Sequence, residues 1–137
     1  MAIAKLLGVA GAAIAGTLAL TAAQRPSALF QAAPGLWEVS GVPGARGPLK
    51  QCLTDIAPLA RFEHRNRSCS ARVISDNASS TVVEYSCGAA GFGRSRIESI
   101  TPRSLRIETQ GIAQSLPFNY VIQARRVGDC SATASRH

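Results

Sequence analysis

The sequence has few of the side chains on which enzyme mechanisms usually depend. It contains two histidines, His64 in a basic segment and His137 at the C-terminus. A Ser-His-Asp triad would have to use His64, and no nucleophile-elbow sequence accompanies it. The acidic residues are scattered rather than paired, and the glycine-rich segment 88–93 precedes no helical pattern, so neither a glycosidase-like carboxylate pair nor a phosphate-binding loop is indicated. We therefore predict a protein that is not an enzyme, with no catalytic residues and no cofactor.

Charged residues are also missing from residues 6–23, which follow Lys5 and are rich in alanine, leucine and glycine. Thr21-Ala22-Ala23 offers small residues where signal peptidase cleaves, so the pattern predicts a cleaved signal peptide over residues 1–23. A retained membrane anchor is the alternative, because an apolar run of this length is near the lower limit for spanning a bilayer. The run is mostly alanine and glycine, which favours cleavage. We therefore expect a periplasmic or secreted protein that meets the membrane only through its signal peptide during export.

The rest of the chain has the length of one domain. It divides into a flexible lead-in at residues 24–34, a single β domain at residues 35–130 and a polar tail at residues 131–137.

Positive charge exceeds negative charge, with 15 Lys and Arg against 8 Asp and Glu and a net charge of +7. Such an excess either serves solubility alone or attracts anionic partners such as lipid head groups and acidic glycans. Nucleic acid is not expected as a partner, because the protein is expected to be exported. Arg61, Arg65 and Arg67 lie in the most basic segment and are our candidate anion contacts. A solvated loop is the alternative, and a histidine in such a loop, His64, is expected to be exposed to solvent.

All four cysteines lie in the part of the chain that would be exported, at Cys52, Cys69, Cys87 and Cys130. An even number of cysteines in an oxidising compartment is typical of a disulfide framework. A zinc site is the rival interpretation, but the paired C-x-x-C or Cys/His spacing of zinc sites is missing, so we predict no metal site. If Cys69 joins Cys87, then Cys52 must join Cys130.

The segment from Cys69 to Cys87 has two β-rich runs around a turn-forming centre. If the turn is centred on Ala78, one antiparallel register matches apolar, charged and cysteine residues at once. The pairs are Val73 with Val83, Ile74 with Val82, Arg72 with Glu84, and Cys69 with Cys87. A shift of one residue would lose every pair, so the register predicts a disulfide-closed hairpin. Pairing of the two cysteines with other partners is the alternative.

Alternating apolar and polar residues predict further strands between turn-forming segments. The predicted strands are residues 36–40, with Trp37 and Val39 on one face, then 49–52, 92–100, 104–110 and a long last strand at 116–127. The third and fourth of these match Ile97 with Ile107, Arg96 with Glu108, and Glu98 with Arg106. The fold class is therefore all-β: six to seven antiparallel strands forming a small curled sheet, a barrel or a sandwich, stapled by disulfides.

Two connections carry more specific expectations. Residues 53–60 allow one helical turn, with Thr54 as its N-cap and Pro58 limiting its length. Residues 111–115 are expected to be a connection between strands.

Several segments taken in order resemble a known family. The chain reads P-G-L-W-E-V at residues 34–39, C-L-T at 52–54 and R-R-V-G-D-C at 125–130, with Cys69 and Cys87 between them. This order resembles the exported bacterial family called domain of unknown function 3617. The resemblance implies a β-rich, four-cysteine protein in the periplasm of a Gram-negative bacterium or secreted from it, and it supplies no activity and no catalytic residues. The chain departs from that family pattern because it lacks Met-rich segments, its single methionine being Met1.

These observations favour a binding or interaction module whose partner is an envelope component or a small apolar ligand. A curled sheet offers a concave face, which Trp37, Phe92, Phe118 and Tyr120 are placed to line, although most of them are expected to be core. The alternative is an envelope structural or stress-related protein that contacts anionic surface polymers through an arginine-rich face.

Overall fold

The computed structural model describes Ala28 and residues 32–131 of the chain. Seven strands form a single antiparallel sheet, which confirms the all-β prediction. They are β1 (Gly35–Ser40), β2 (Leu49–Leu53), β3 (Ser70–Asp76), β4 (Ser80–Ser86), β5 (Gly91–Thr101), β6 (Ser104–Ala113) and β7 (Leu116–Gly128). Their order across the sheet is β2-β1-β7-β6-β5-β4-β3, so the sheet is open, with β2 and β3 as its edges.

The five strands β3 to β7 follow one another as hairpins, whereas β1 pairs with both β2 and β7. The chain must therefore cross from one edge of the sheet to the other between β2 and β3. Residues 54–68 make this crossing, and we call them the cap. The cap contains one helical turn, α1 (Ala57–Ala60), and a 3₁₀ turn, Phe62–His64.

Both predicted disulfides are formed. Cys52 at the end of β2 joins Cys130 after β7, and Cys69 before β3 joins Cys87 after β4. The first bridge ties one edge strand to the end of the chain, and the second closes the β3–β4 hairpin. Because the cap lies between Cys52 and Cys69, a disulfide anchors the chain close to each of its ends.

The core lies between the cap and one face of the sheet, which we call the inner face. Alternate residues along each strand point to this face, as a half-buried sheet requires. Trp37, Val39, Ile97, Ile107 and Ile122 are all fully buried there, and the Leu59 and Phe62 side chains of the cap pack against them. The indole N–H of Trp37 donates a hydrogen bond to the Ala33 carbonyl at 3.0 Å, so its polar atom is satisfied.

The predicted strand registers are confirmed with one exception. Ile97 lies opposite Ile107, and Arg72 lies opposite Glu84. The prediction that Ile74 faces Val82 is wrong, because a bulge after Val73 adds a residue to β3 and places Ser75 opposite Val82 instead. The extra residue, Ile74, is left exposed at the edge of the sheet.

Two local expectations are wrong for identifiable reasons. Thr54 does not cap the helical turn; the Asp55 carboxylate accepts a hydrogen bond from the Ala57 N–H at 2.9 Å. Pro58 lies in the first turn of α1, where a backbone N–H has no carbonyl partner within the helix. The proline therefore costs the helix no hydrogen bond. The connection at residues 111–115 is shorter than expected, since Gln114 and Ser115 alone form the turn, with φ values of 50° and 67°.

The N-terminal segments are only partly described. The predicted signal peptide at 1–23 lies outside the described residues, as do residues 132–137 of the tail and most of the lead-in. Within the lead-in, Ala28 and Ala32 are buried in the core, and the Ala28 N–H donates to the Thr81 hydroxyl at 3.3 Å. At these two positions the chain is packed rather than free. None of the described helices is long and apolar enough to span a membrane.

Candidate functional site

Arg61 holds the second half of the cap in shape. Its Nη1 lies 3.1 Å from the His64 carbonyl oxygen and 2.7 Å from the Arg67 carbonyl oxygen, with Arg65 O at 3.4 Å. The Arg61 guanidinium therefore donates hydrogen bonds to backbone carbonyl groups that are not paired within the sheet. Arg65 turns back in a similar way, since its Nη1 donates to the Phe62 carbonyl at 3.0 Å and its guanidinium lies 4.3 Å from the centre of the Phe62 ring.

These contacts show where the three candidate anion contacts lie. Arg61 and Arg65 are half-buried and bind carbonyl groups of their own loop, whereas Arg67 is exposed. The structure thus gives two of the three arginines an internal role. A role for any of them in binding an anion stays a prediction.

His64 is the largest departure from expectation in this loop. The prediction of a solvent-exposed side chain is wrong, because His64 is 3% exposed. Its Nε2 lies 3.0 Å from the Ala90 carbonyl oxygen, and its ring contacts the rings of Tyr85 and Phe118 at centroid distances of 5.5 and 5.8 Å. Nδ1 is buried without a hydrogen-bond partner in the described structure. His64 therefore fastens the cap to β4, to β7 and to the segment just before β5.

Paired glycines make room for this aromatic cluster. Gly93 and Gly111 lie opposite each other on β5 and β6. A Cβ atom on Gly93 would come within 2.4 Å of the Tyr85 hydroxyl, and one on Gly111 would come within 3.0 Å of the Phe118 ring. The ends of the two rings thus lie against backbone that carries no side chain. Burial raises the pKa of Tyr85 above its ordinary value, so its phenol remains protonated at neutral pH.

Tyr120 links the sheet to the cap at the rim of the same cluster. Its hydroxyl donates to a Glu63 carboxylate oxygen at 2.7 Å. Burial, together with this acceptor, raises the pKa of Tyr120 well above its ordinary value. Of the four aromatic residues expected on the concave face, Trp37 is core, Phe118 and Tyr120 are half-buried on the inner face, and Phe92 lies on the opposite face.

A half-open groove separates the first part of the cap from the β3–β4 hairpin. Its volume is about 810 Å³, and its lining consists mainly of alanine, valine, isoleucine and proline side chains. Ala57 and Ala60 of α1 form one wall, and Ala71, Val73 and Val83 form the other. We call this space the cap groove. Val73 is 41% exposed there, although it points to the inner face, because the cap leaves this end of the sheet uncovered.

Arg61 and Arg72 are the positive side chains that line the cap groove, and Asp55 is the negative one. Among residues 32–131, no three His, Cys, Asp or Glu side chains lie together in a way that could hold a metal ion. The mainly apolar lining of the groove is suited to contact with apolar groups. Its lining residues were not identified from the sequence. The available signal was that Ala71 and Val73 alternate on a hairpin face for which no covering element was predicted.

The chain matches a known protein family. Residues 32–130, more than two thirds of the chain, match the model of a family described as Protein of unknown function (DUF3617). No curated protein and no solved structure matches the chain.

Proposed function

The chain belongs to the DUF3617 family, and from the geometry of its cap groove we propose that it is an exported binding module for a small apolar ligand. The cap groove carries this proposal. Its volume of about 810 Å³ lies within the range of small-molecule sites, which bury most of a ligand against largely apolar walls. The walls belong to elements whose ends are fixed by disulfides, so the space is formed before a ligand arrives.

Binding would use burial of apolar surface as its main driving force. Each Å² of apolar surface removed from water contributes roughly 25 cal/mol. Val73 and Ala57 are exposed in the described structure and would be covered by a ligand in the groove. The protein would act as a carrier or sensor rather than an enzyme, in the periplasm or outside the cell.

The test of binding uses the uncharged fluorescent probe N-phenyl-1-naphthylamine and the exported chain. Val73→Trp places an indole in the groove and should weaken probe binding at least tenfold. Ser75→Trp is the matched control, because Ser75 lies on the same strand, is exposed and does not line the groove. Equal loss in both variants, or no loss in Val73→Trp, would reject the groove as the site.

Export is tested separately. The full chain is expressed in a Gram-negative host, cell fractions are separated, and the N-terminus of the accumulated protein is sequenced. We expect protein in the periplasm or medium that begins at Gln24. Retention in the cytoplasm with Met1 intact would refute export without bearing on the groove.

A further inference from the structure

The outer face of the sheet carries an unusual arrangement of charge, in which one carboxylate binds two arginines. Arg72, Glu84 and Arg94 lie directly opposite one another on β3, β4 and β5. Arg72 donates through Nε and Nη2 to one oxygen of Glu84, at 3.1 and 2.8 Å, and Arg94 donates through the same two nitrogens to the other oxygen. The three side chains together carry a net charge of +1.

A second charged cluster on the same face shows that this excess is local. Arg96 and Arg106 bind Glu98, and Arg106 also binds Glu108. The charges of the two arginines and the two glutamates cancel in this cluster. On this part of the sheet, unbalanced positive charge is therefore concentrated at Arg72 and Arg94.

Both of these arginines retain donors that face solvent. A guanidinium has five N–H groups, and Glu84 uses only the Nε and Nη2 side of each. The side chains of Arg72 and Arg94 are 77% and 53% exposed. Hydrogen bonds, from Arg94 first and Arg72 second in size of effect, hold the pKa of Glu84 below its usual range. Glu84 therefore stays ionised at neutral pH and holds both guanidinium groups in place.

The two arginines lie in the β3–β5 half of a trough that crosses the strands. The row that contains them continues with Gln110 on β6 and Asn119 on β7. Phe92, 56% exposed, and Ile112 stand in the next row, and the trough between the rows has a volume of about 940 Å³. From β3 to β7 it spans about 19 Å, because neighbouring strands lie about 4.8 Å apart. We call it the outer trough.

We propose that the outer trough binds a segment of an acidic polysaccharide, with a sugar carboxylate held by Arg72 and Arg94. A planar guanidinium matches a carboxylate with two parallel hydrogen bonds. The amides of Gln110 and Asn119 each offer donors and an acceptor, which suits hydroxyl groups that do both. The exposed ring of Phe92 offers an apolar surface to one face of a sugar ring.

The shape of the trough argues for a chain rather than a lone anion. A free phosphate or a single carboxylate would need only the two arginines, which occupy the half of the trough from β3 to β5. The remaining length presents polar amides beside an aromatic ring, and its floor includes the backbone of Gly93 and Gly111. The cap groove lies on the opposite face of the sheet, and the two spaces share Ala71, Arg72 and Tyr85 in their linings. Arg94, Gln110 and Asn119 line the outer trough and not the cap groove, so the proposal does not rest on the groove.

Isothermal titration calorimetry with an alginate tetrasaccharide tests the proposal, with cellotetraose as the neutral probe. We expect binding of the acidic probe that weakens with added salt, and at least tenfold weaker binding of cellotetraose. Arg72→Gln combined with Arg94→Gln should reduce affinity for the acidic probe at least tenfold. Arg94→Lys keeps the charge but loses the planar fork, and should reduce affinity about threefold or more.

The matched control is Arg96→Gln combined with Arg106→Gln, which removes the same charge from the balanced cluster on the same face. An equal loss of affinity in this control would mean that net charge alone drives binding, and would overturn the proposal. Undiminished binding in the Arg72 and Arg94 variant would also overturn it. Stronger binding to inorganic phosphate or to phosphatidylglycerol vesicles than to the tetrasaccharide would assign the arginines to a different anion and refute the polysaccharide site. Thermal unfolding of each variant checks that the fold is retained.

Discussion

Arg126 lies against Gly35, and its Nε donates a hydrogen bond to the carbonyl of Pro34 at 2.9 Å. The same guanidinium forms an ion pair with Asp129. The sequence segments P-G-L-W-E-V and R-R-V-G-D-C, which are far apart in the chain, therefore meet at one corner of the sheet. Their contact joins the start of β1 to the end of β7, next to the Cys52–Cys130 bridge.

This contact makes Gly35 a position at which a side chain is not tolerated. A Cβ atom there would lie 2.6 Å from Arg126 Nε and 2.7 Å from the Gly128 carbonyl oxygen, and φ is +151°. We expect Gly35→Ala to lower the free energy of unfolding by roughly 2–4 kcal/mol, as measured by urea unfolding. Gly44→Ala is the control, because Gly44 also has a positive φ, +78°, but open space around it. It should cost only about 1–2 kcal/mol. Equal costs would show that backbone strain, not the Arg126 contact, dominates at Gly35.

The two disulfides are expected to contribute unequally. Cys52–Cys130 has a sequence separation of 78, and Cys69–Cys87 has one of 18. Chain entropy predicts losses of roughly 4.5 and 3 kcal/mol when each pair is replaced by serine, because the longer loop restricts the unfolded chain more. Urea unfolding of the two double variants measures the difference. A larger loss for Cys69→Ser with Cys87→Ser would indicate that holding the hairpin matters more than chain entropy.

Replacing His64 distinguishes a buried anchor from a loop residue. His64→Ala removes a buried ring together with its hydrogen bond to Ala90, and we expect a loss of roughly 2–4 kcal/mol in the free energy of unfolding. Asn66→Ala, at an exposed position two residues away, should change stability by less than about 0.5 kcal/mol. Similar, small effects of both substitutions would contradict the burial of His64.

Tyr120 should make stability sensitive to alkaline pH. The pKa of Tyr120 is raised in the folded protein, so its contribution is fully present below the unfolded value of about 10 and is lost as the pH rises above it. The melting temperature of the wild type should therefore fall more steeply above pH 10 than that of Tyr120→Phe. At pH 7 the variant should be less stable by about 1 kcal/mol, because the bond to Glu63 is missing. Parallel pH profiles would rule out this contribution from Tyr120.

Pairing between strands that are neighbours in the chain could be predicted from the amino-acid pattern. Ile97 with Ile107 and Arg72 with Glu84 could be matched because hairpin partners are close in the chain and alternate with a fixed period of two. The same regularity predicted the Cys69–Cys87 disulfide. Cys52 and Cys130 were then the two cysteines left to form the second one. The alternation that predicts a strand also predicts which of its faces is buried, as at Trp37 and Val39.

Features that depend on contacts between distant segments became evident only in the folded protein. The burial of His64 follows from the path of the cap over the sheet, and no local pattern encodes that path. The bulge at Ile74 is a shift of one residue, which the alternating pattern on either side does not reveal. Arg61 binds backbone carbonyls and Arg94 shares a carboxylate, yet the sequence around neither arginine indicates which role it has. Their difference arises because hydrogen bonding in the folded protein depends on which groups the fold leaves unpaired, and this becomes defined only once the sheet and the cap are assembled.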